Sequence, residues 1–244
     1  MTIRRSLFLI SLILYVSRPA PSDAAATWEE MVSPGVFTHG VALDPVDPNR
    51  VFVGTWGRGL SRTVDGVQSW IGVSGSFTYG GSIVTTFDVV LDPADPNRGV
   101  ATTNNGTYVT ATRGALWSRH PQNGGDAPLA AYDMAPLPDG SGVAISELIS
   151  IDGGGMLWIY DWTTDLFSVG AASSLLVSLQ GESALGIGFT VDGTMLFGHT
   201  ITVFVTDDLG NTLQRNGAGL PDYQPRAVVP DPEVRGVTLC AVDG

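Results

Sequence analysis

Short apolar runs bounded by glycine, proline and aspartate recur along the whole chain, and no helical period of useful length lies between them. Val51-Phe52-Val53-Gly54 and Met195-Leu196-Phe197-Gly198 are typical. Runs this short, rich in β-branched and aromatic residues and closed by turn formers, predict strands joined by tight connections. The expected fold class is all-β. Only Ala171 to Ala184 is hard to read, as a strand followed by a long loop.

The runs are organised by a repeat. Val41-Ala42-Leu43-Asp44-Pro45-Val46-Asp47-Pro48-Asn49-Arg50 returns as Val89-Val90-Leu91-Asp92-Pro93-Ala94-Asp95-Pro96-Asn97-Arg98, an offset of about 48 residues. Weaker copies start at Leu137-Pro138-Asp139-Gly140, Thr190-Val191-Asp192-Gly193 and Val229-Pro230-Asp231-Pro232. A period of this length points to propeller blades. Proline cannot donate to a strand ladder, so the Asp-Pro pairs belong in the connection between two strands of a blade.

A second signature follows each start at a distance. Thr63-Val64-Asp65-Gly66-Val67-Gln68-Ser69-Trp70 and Thr206-Asp207-Asp208-Leu209-Gly210-Asn211-Thr212-Leu213 have a hydroxyl, a carboxylate and a glycine or its neighbour in one order. Thr110-Ala111-Thr112-Arg113-Gly114-Ala115-Leu116-Trp117 carries Thr112 in place of the aspartate, and Ser150-Ile151-Asp152-Gly153-Gly154 begins another copy whose Trp158 sits one residue late. A carboxylate that accepts turn N–H groups, and an aromatic ring packed between sheets, give these residues an architectural role. On this reading Asp65, Trp70, Trp117, Asp152 and Asp208 are structural.

In order, the pieces give four-stranded antiparallel blades at about residues 37–75, 87–120, 132–170 and 185–217, with a partial blade at 225–244. About four and a half blades make an incomplete ring. Its last strands, Arg226 to Ala241, would present an open edge near Cys240, so the isolated chain is expected to self-associate.

Composition narrows the setting. Arg4 and Arg5, the apolar run Leu7 to Val16 and the stretch Ala24-Ala25-Ala26 have the order of a secretory signal peptide covering residues 1–26, leaving 27–244 as the repeat domain. The protein is expected to be secreted, extracellular or periplasmic, with no membrane span after cleavage. The net charge is −12 and every basic residue is arginine, so nucleic acid and anionic membrane surfaces are poor partners. Cys240 is the single cysteine, which rules out an internal disulfide. His39, His120 and His199 lack metal-ligand spacing, and neither a metal nor a cofactor is implied. Asn105-Gly106-Thr107 fits a glycosylation sequon.

The Asp-Pro-x-Asp-Pro-Asn-Arg repeat, the Val-Phe-Val-Gly-Thr strand and the second signature resemble the Asp-box, or BNR, propellers over nearly the whole mature chain. That group holds sialidases, xyloglucan-hydrolysing glycosidases, sortilin-type receptors and photosystem II assembly factors. In blades of this type the Asp-Pro and Asp-box connections share one face. The opposite face carries Trp56, Arg58, Asn104, Asn105, Glu147 and His199 between middle strands, and Tyr79, Asp126, Glu182 and Tyr223 between blades. The resemblance implies that a substrate would lie there, so Trp56, Arg58, Asn104, Glu147 and His199 are the ligand-binding candidates.

Catalysis is less well supported. In the xyloglucan-hydrolysing relatives an aspartate follows the second strand of a blade; here the matching positions hold Trp56 and Asn104, which cannot protonate a leaving oxygen. Glycoside hydrolysis needs two facing carboxyl groups, and only Glu147 and Glu182 are conceivable. The sialidase tripeptide Arg-Ile-Pro is absent. The expected function is therefore non-catalytic binding or scaffolding with a carbohydrate or protein partner. The alternatives are a glycoside hydrolase fragment and part of a larger cell-surface or adhesion protein.

Overall fold

The structure, a computed structural model, describes residues 37–73, 76–122, 128, 130–147, 156–170, 184–199, 202–209, 212–216, 225–231 and 238–242. Residues 1–36, which include the expected signal segment, and Asp126, Asp152, Glu182 and Tyr223 lie outside the described residues. All described elements are strands. Among the described residues no helix is long and apolar enough to cross a membrane.

The first blade is β1 (Thr38–Asp44), β2 (Asp47–Thr55), β3 (Gly59–Thr63) and β4 (Ile71–Gly72), paired in that order. A small hairpin follows, β5 (Thr78–Tyr79) with β6 (Ser82–Ile83). The second blade is β7 (Thr86–Leu91), β8 (Gly99–Thr103), β9 (Gly106–Thr110) and β10 (Ser118–Arg119). The third is β11 (Ala131–Pro136), β12 (Gly142–Glu147), β13 (Met156–Asp161) and β14 (Leu166–Val169). The fourth is β15 (Ala184–Phe189), β16 (Met195–His199), β17 (Thr202–Thr206) and β18 (Gln214–Arg215), and a two-stranded sheet of β19 (Pro225–Pro230) and β20 (Thr238–Val242) comes last. Every pairing is antiparallel, as short connections between consecutive strands require.

The inner strands stand side by side in the order β1, β7, β11, β15, β19, and the ring does not close among the described residues. Four full blades and a half blade form an incomplete propeller. The core lies in the seams between blades, because alternate residues of each strand face opposite neighbours. Phe52 and Leu60 of the first blade meet Val89, Leu91, Tyr108 and Trp117 of the second. Val90 and Val100 meet Met134, Ile145 and Trp158, and Ala135 and Leu157 meet Ile187 and Phe197. Leu196 and Val203 pack on Val228 with Cys240 beside them.

The Asp-Pro repeat is a clasp. Asp44 Oδ1 accepts from Val46 N and Asp47 N, and Asp92 Oδ1 accepts from Ala94 N. The side chain of Asp44 is fully inaccessible to solvent. It takes Arg113 from the second blade in a two-pronged pair, Nε to Oδ2 at 2.5 Å and Nη2 to Oδ1 at 2.8 Å. Arg50 and Arg62 donate across the same seam to the carbonyls of Arg113 and Gly114, and Arg98 pairs with Asp92 and reaches the carbonyl of Trp162.

Turns between third and fourth strands share one bonding pattern. Thr63 Oγ1 donates to Asp65 Oδ1 at 2.6 Å, and Asp65 accepts from both Ser69 N and Ser69 Oγ. Those bonds, the Ser69 hydroxyl first and the Thr63 hydroxyl next, push the Asp65 carboxyl down to about 2. Asp208 repeats the arrangement with Thr206 and Thr212. In the second blade the Thr112 hydroxyl takes the same place, bonding Thr110 Oγ1 and accepting from Leu116 N, while Trp117 packs against Phe52 and Phe77. Gly66 N and Arg113 N dock the turns onto the carbonyls of Asn49 and Asn97 in the Asp-Pro connections. Trp70 is half-buried.

A carboxylate with several donors outweighs a hydroxyl in such a turn. Asp208→Ala is expected to cost about 1.5–3 kcal/mol and Thr112→Ala about 1 kcal/mol. Urea unfolding midpoints measured side by side check this; equal losses would refute the shared role of the carboxylates.

The third blade departs from the sequence reading. Residues 148–155, which include Asp152, connect β12 to β13, the second and third strands of the blade. Trp158 lies within β13 rather than after a third-to-fourth-strand turn. The turn equivalent to Asp65 follows Asp161, whose Oδ1 accepts from Thr163 N and Thr164 N, with Trp162 buried beside Tyr160. A Ser-x-Asp-Gly tetrapeptide suits any tight turn, and only strand count distinguishes the two connections. The Asp-Pro connection also differs between copies: Asp47 to Arg50 already lie within β2, with Asp47 paired to Asp44, whereas β8 begins only at Gly99.

Candidate functional face

Each inner strand begins with a β-bulge at the edge where the second strand ends. Register breaks fall between Thr86 and Asp88, between Ala131 and Asp133, between Ala184 and Gly186, and between Pro225 and Ala227. An extra residue re-aims the neighbouring side chains. At the bulge stand His39, Phe87, Tyr132, Leu185 and Arg226 in successive blades. The first three form a row. The rings of Phe87 and Tyr132 stack with centroids 4.2 Å apart, His39 meets Phe87 edge-on at 5.4 Å, and Trp56 stacks on His39 at 5.6 Å. Burial holds His39 below its usual pKa, so the imidazole is neutral at physiological pH.

Trp56 is 60% exposed and supplies the outer end of this row. Arg58, two residues on, is also exposed. Thr85 joins their loop to that of Asn104: its Oγ1 accepts from Gly57 N, its N donates to Asn104 Oδ1, and its carbonyl accepts from Asn104 N. Trp56, Arg58 and Asn104 thus occupy two adjoining, mutually braced loops. Tyr79 lies on the β5–β6 hairpin under the guanidinium of Arg119, which also donates to the carbonyl of Asn105.

Glu147 and His199 occupy a different register. They pair with Ala131 and Ala184, as Thr55 and Thr103 pair with Thr38 and Thr86, one residue before the positions of Trp56 and Asn104. Glu147 is buried and its Oε2 accepts from the Trp158 indole at 2.6 Å. The side chain of His199 is not described.

The sequence reading missed the row of His39, Phe87 and Tyr132, and with it two acids. Asp88 and Asp133 follow Phe87 and Tyr132 directly and point into the seams. Among the described residues no group of three or more His, Cys, Asp or Glu side chains is placed to hold a metal ion.

No protein-family model and no curated protein sequence matches the chain. Its fold, however, resembles solved structures. The GH74 xyloglucanase of Xanthomonas campestris superposes with a TM-score of 0.66 at 18% identity, over 84% of this chain and 35% of that one. The Swd1 β-propeller domain of Myceliophteria thermophila gives 0.64 at 10% identity, over 86% and 69%, and a chain of a nidogen/laminin complex gives 0.62 at 10% identity, over 86% and 73%. The fold is a β-propeller. This chain spans about a third of the length of the xyloglucanase it matches. At such low identity these likenesses establish the propeller and leave its task to the residues of the face.

Proposed function

We propose that the chain is a secreted, non-catalytic propeller of the Asp-box type that binds a carbohydrate or protein partner on the face carrying Trp56. The observation behind this reading is the stacked row Trp56–His39–Phe87–Tyr132, an aromatic surface that starts exposed at one end and is fixed by packing at the other. Exposed, rigid aromatic side chains are the usual anchors of binding sites. Arg58 and the Asn104 amide lie beside it as polar contacts. The hydrogen-bond pattern around Asp65 and Asp208 supports the Asp-box assignment.

A glycoside hydrolase is the second reading, favoured by the fold likeness to a GH74 xyloglucanase. Against it, the loop tips hold Trp56 and Asn104, and Glu147 is committed to the Trp158 indole. Asp88 is buried and shares the Met134 N–H with Asp133, so these two acids are committed to the seam between strands and are not free to flank a sugar from either side.

Immobilised plant and bacterial polysaccharides and extracellular-matrix proteins, screened with residues 27–244, test the proposal. We expect retention on at least one of them, no release of reducing sugar, and a fall in affinity of about tenfold or more for Trp56→Ala. Sugar release abolished by Glu147→Gln would establish the enzyme instead.

A further inference from the structure

A bulge leaves an N–H group with no ladder partner, and a buried N–H needs an acceptor. In the middle blades the acceptors are carboxylates. Asp88 Oδ1 accepts from Val89 N at 2.8 Å and Oδ2 from Met134 N at 2.9 Å, across the seam to the third blade. Asp133 Oδ1 also accepts from Met134 N, and its Oδ2 accepts from Ile187 N at 2.8 Å, across the seam to the fourth. Asp88 is buried, and Asp88 Oδ2 and Asp133 Oδ1 share the Met134 N–H, which brings the two carboxyl groups together. On β1 the facing residue is Gly40, where a Cβ would stand 2.2 Å from Asp88 Oδ1.

The charged and titratable groups on the packed elements offer no counter-charge. β1 brings His39, which lies against the ring of Phe87, and Asp44, which is spent on Arg113 at the strand's far end. β2 brings Asp47 and Arg50, paired with each other and with Asp44. β12 brings Glu147, bonded to Trp158, and β11 brings Tyr132. β8 brings none, and neither does β15. Among the described residues, no arginine or histidine pairs with Asp88 or Asp133. Two carboxyl groups that share one N–H donor in a buried seam, without a cation beside them, cannot both ionise at ordinary cost.

We propose that Asp88 and Asp133 hold one proton between them, and that this proton locks the seams beneath Phe87 and Tyr132 and so controls the aromatic row. The acid groups lie within strands, and their bonds run from inner strand to inner strand under the stacked rings. The proton stands on this geometry alone, while its effect on partner binding rests on the function proposed above.

Its sign is fixed. Burial raises both carboxyls, and the charge of Asp133 raises Asp88 further. A folded value above the unfolded one, near 3.9, gives stability that is full below that value and is lost as pH rises through the folded one. His39 is held below its usual value and is already neutral above about pH 7, so it does not contribute in that range.

The test uses the whole mature chain. Infrared spectra at about pH 7 should carry a protonated-carboxyl C=O band, when every ordinary acid is ionised, and Asp88→Asn should remove it. Between about pH 7 and about pH 10 the wild-type Tm should fall by about 3 °C or more, while acrylamide quenching of tryptophan increases. Asp88→Asn, whose amide can donate where the acid proton does, should flatten both profiles. Asp139→Asn, in an exposed turn, should leave them as in the wild type. A wild-type spectrum without the band, or an Asp88→Asn profile parallel to wild type, would overturn the proposal. A band that persists in a protein that retains no partner would sink only the binding function.

Discussion

Replacing Asp44 by alanine is expected to loosen the seam between the first two blades at a cost of about 3 kcal/mol, the lower end of the range for a broken buried pair. The carboxylate is inaccessible, and its loss strands the Arg113 guanidinium, two amides of its own turn and the end of Arg50 together. The lower end applies because Arg113 and Arg50 keep some access to water, 29% and 20% of their side-chain surface, which screens part of the interaction. Burial alone would raise this carboxyl, but the Arg113 bonds and the amides of Val46 and Asp47 outweigh it and hold it below the usual value. A lowered folded value gives stability that is present above about pH 4 and lost as pH falls through the folded value. The difference between wild type and Asp44→Ala should therefore shrink in acid. Guanidinium unfolding curves at neutral and acid pH measure it; a constant difference would contradict the pairing.

Gly40→Val is expected to cost about 3 kcal/mol or more, at or beyond the upper end for overpacking. A Cβ there would lie 2.6 Å from the Asp88 Cα and 2.7 Å from the Phe87 carbonyl, backbone atoms that cannot swing aside as a side chain would. Relief requires β1 to move away from β7, which pulls His39 off Phe87. The same substitution at Gly80, where an added Cβ meets nothing within 4 Å, isolates the effect of close approach from that of losing a glycine, although its positive φ adds a local penalty. Thermal unfolding of the two variants decides between them: Gly40→Val should be much the less stable, and equal Tm values would show that the strands are not so closely packed.

These two positions also show what could be read from the chain. Asp44 and Asp92 announce themselves by a repeat of seven-residue specificity, Asp-Pro-x-Asp-Pro-Asn-Arg, and the strands on either side follow from proline chemistry. Gly40 carries no such signal, because its requirement comes from a strand in another blade. Aspartate was read as a turn former, which holds for Asp65, Asp161 and Asp208. It fails for Asp88 and Asp133, which lie within strands and serve amides that a bulge set free. The clue was positional and held only for the two strong copies: Gly40 and Asp88 each precede their repeat aspartate, Asp44 and Asp92, by four residues. A short turn motif carries no information on which strands it joins: the third-to-fourth-strand turn of the third blade follows Asp161, at the end of β13.

On the candidate face, the loop positions of Trp56, Arg58 and Asn104 were legible because the second strands of the first two blades end on recognisable Gly-Thr and Thr-Thr pairs. Glu147 was misplaced by one position of register, enough to take a carboxylate from a loop tip to a buried strand end. The aromatic row was invisible to the repeat, since its three residues, His39, Phe87 and Tyr132, share a place in the blade without sharing an identity.

Amide hydrogen exchange of residues 27–244, with and without a partner retained in the screen, tests the central claim most directly. The account predicts added protection at the loops of Trp56 and Asn104 and at the bulged starts of β1, β7 and β11, with the turns of Asp65 and Asp208 unchanged. Protection confined to those turns and the Asp-Pro connections would place the partner on the opposite face and contradict it.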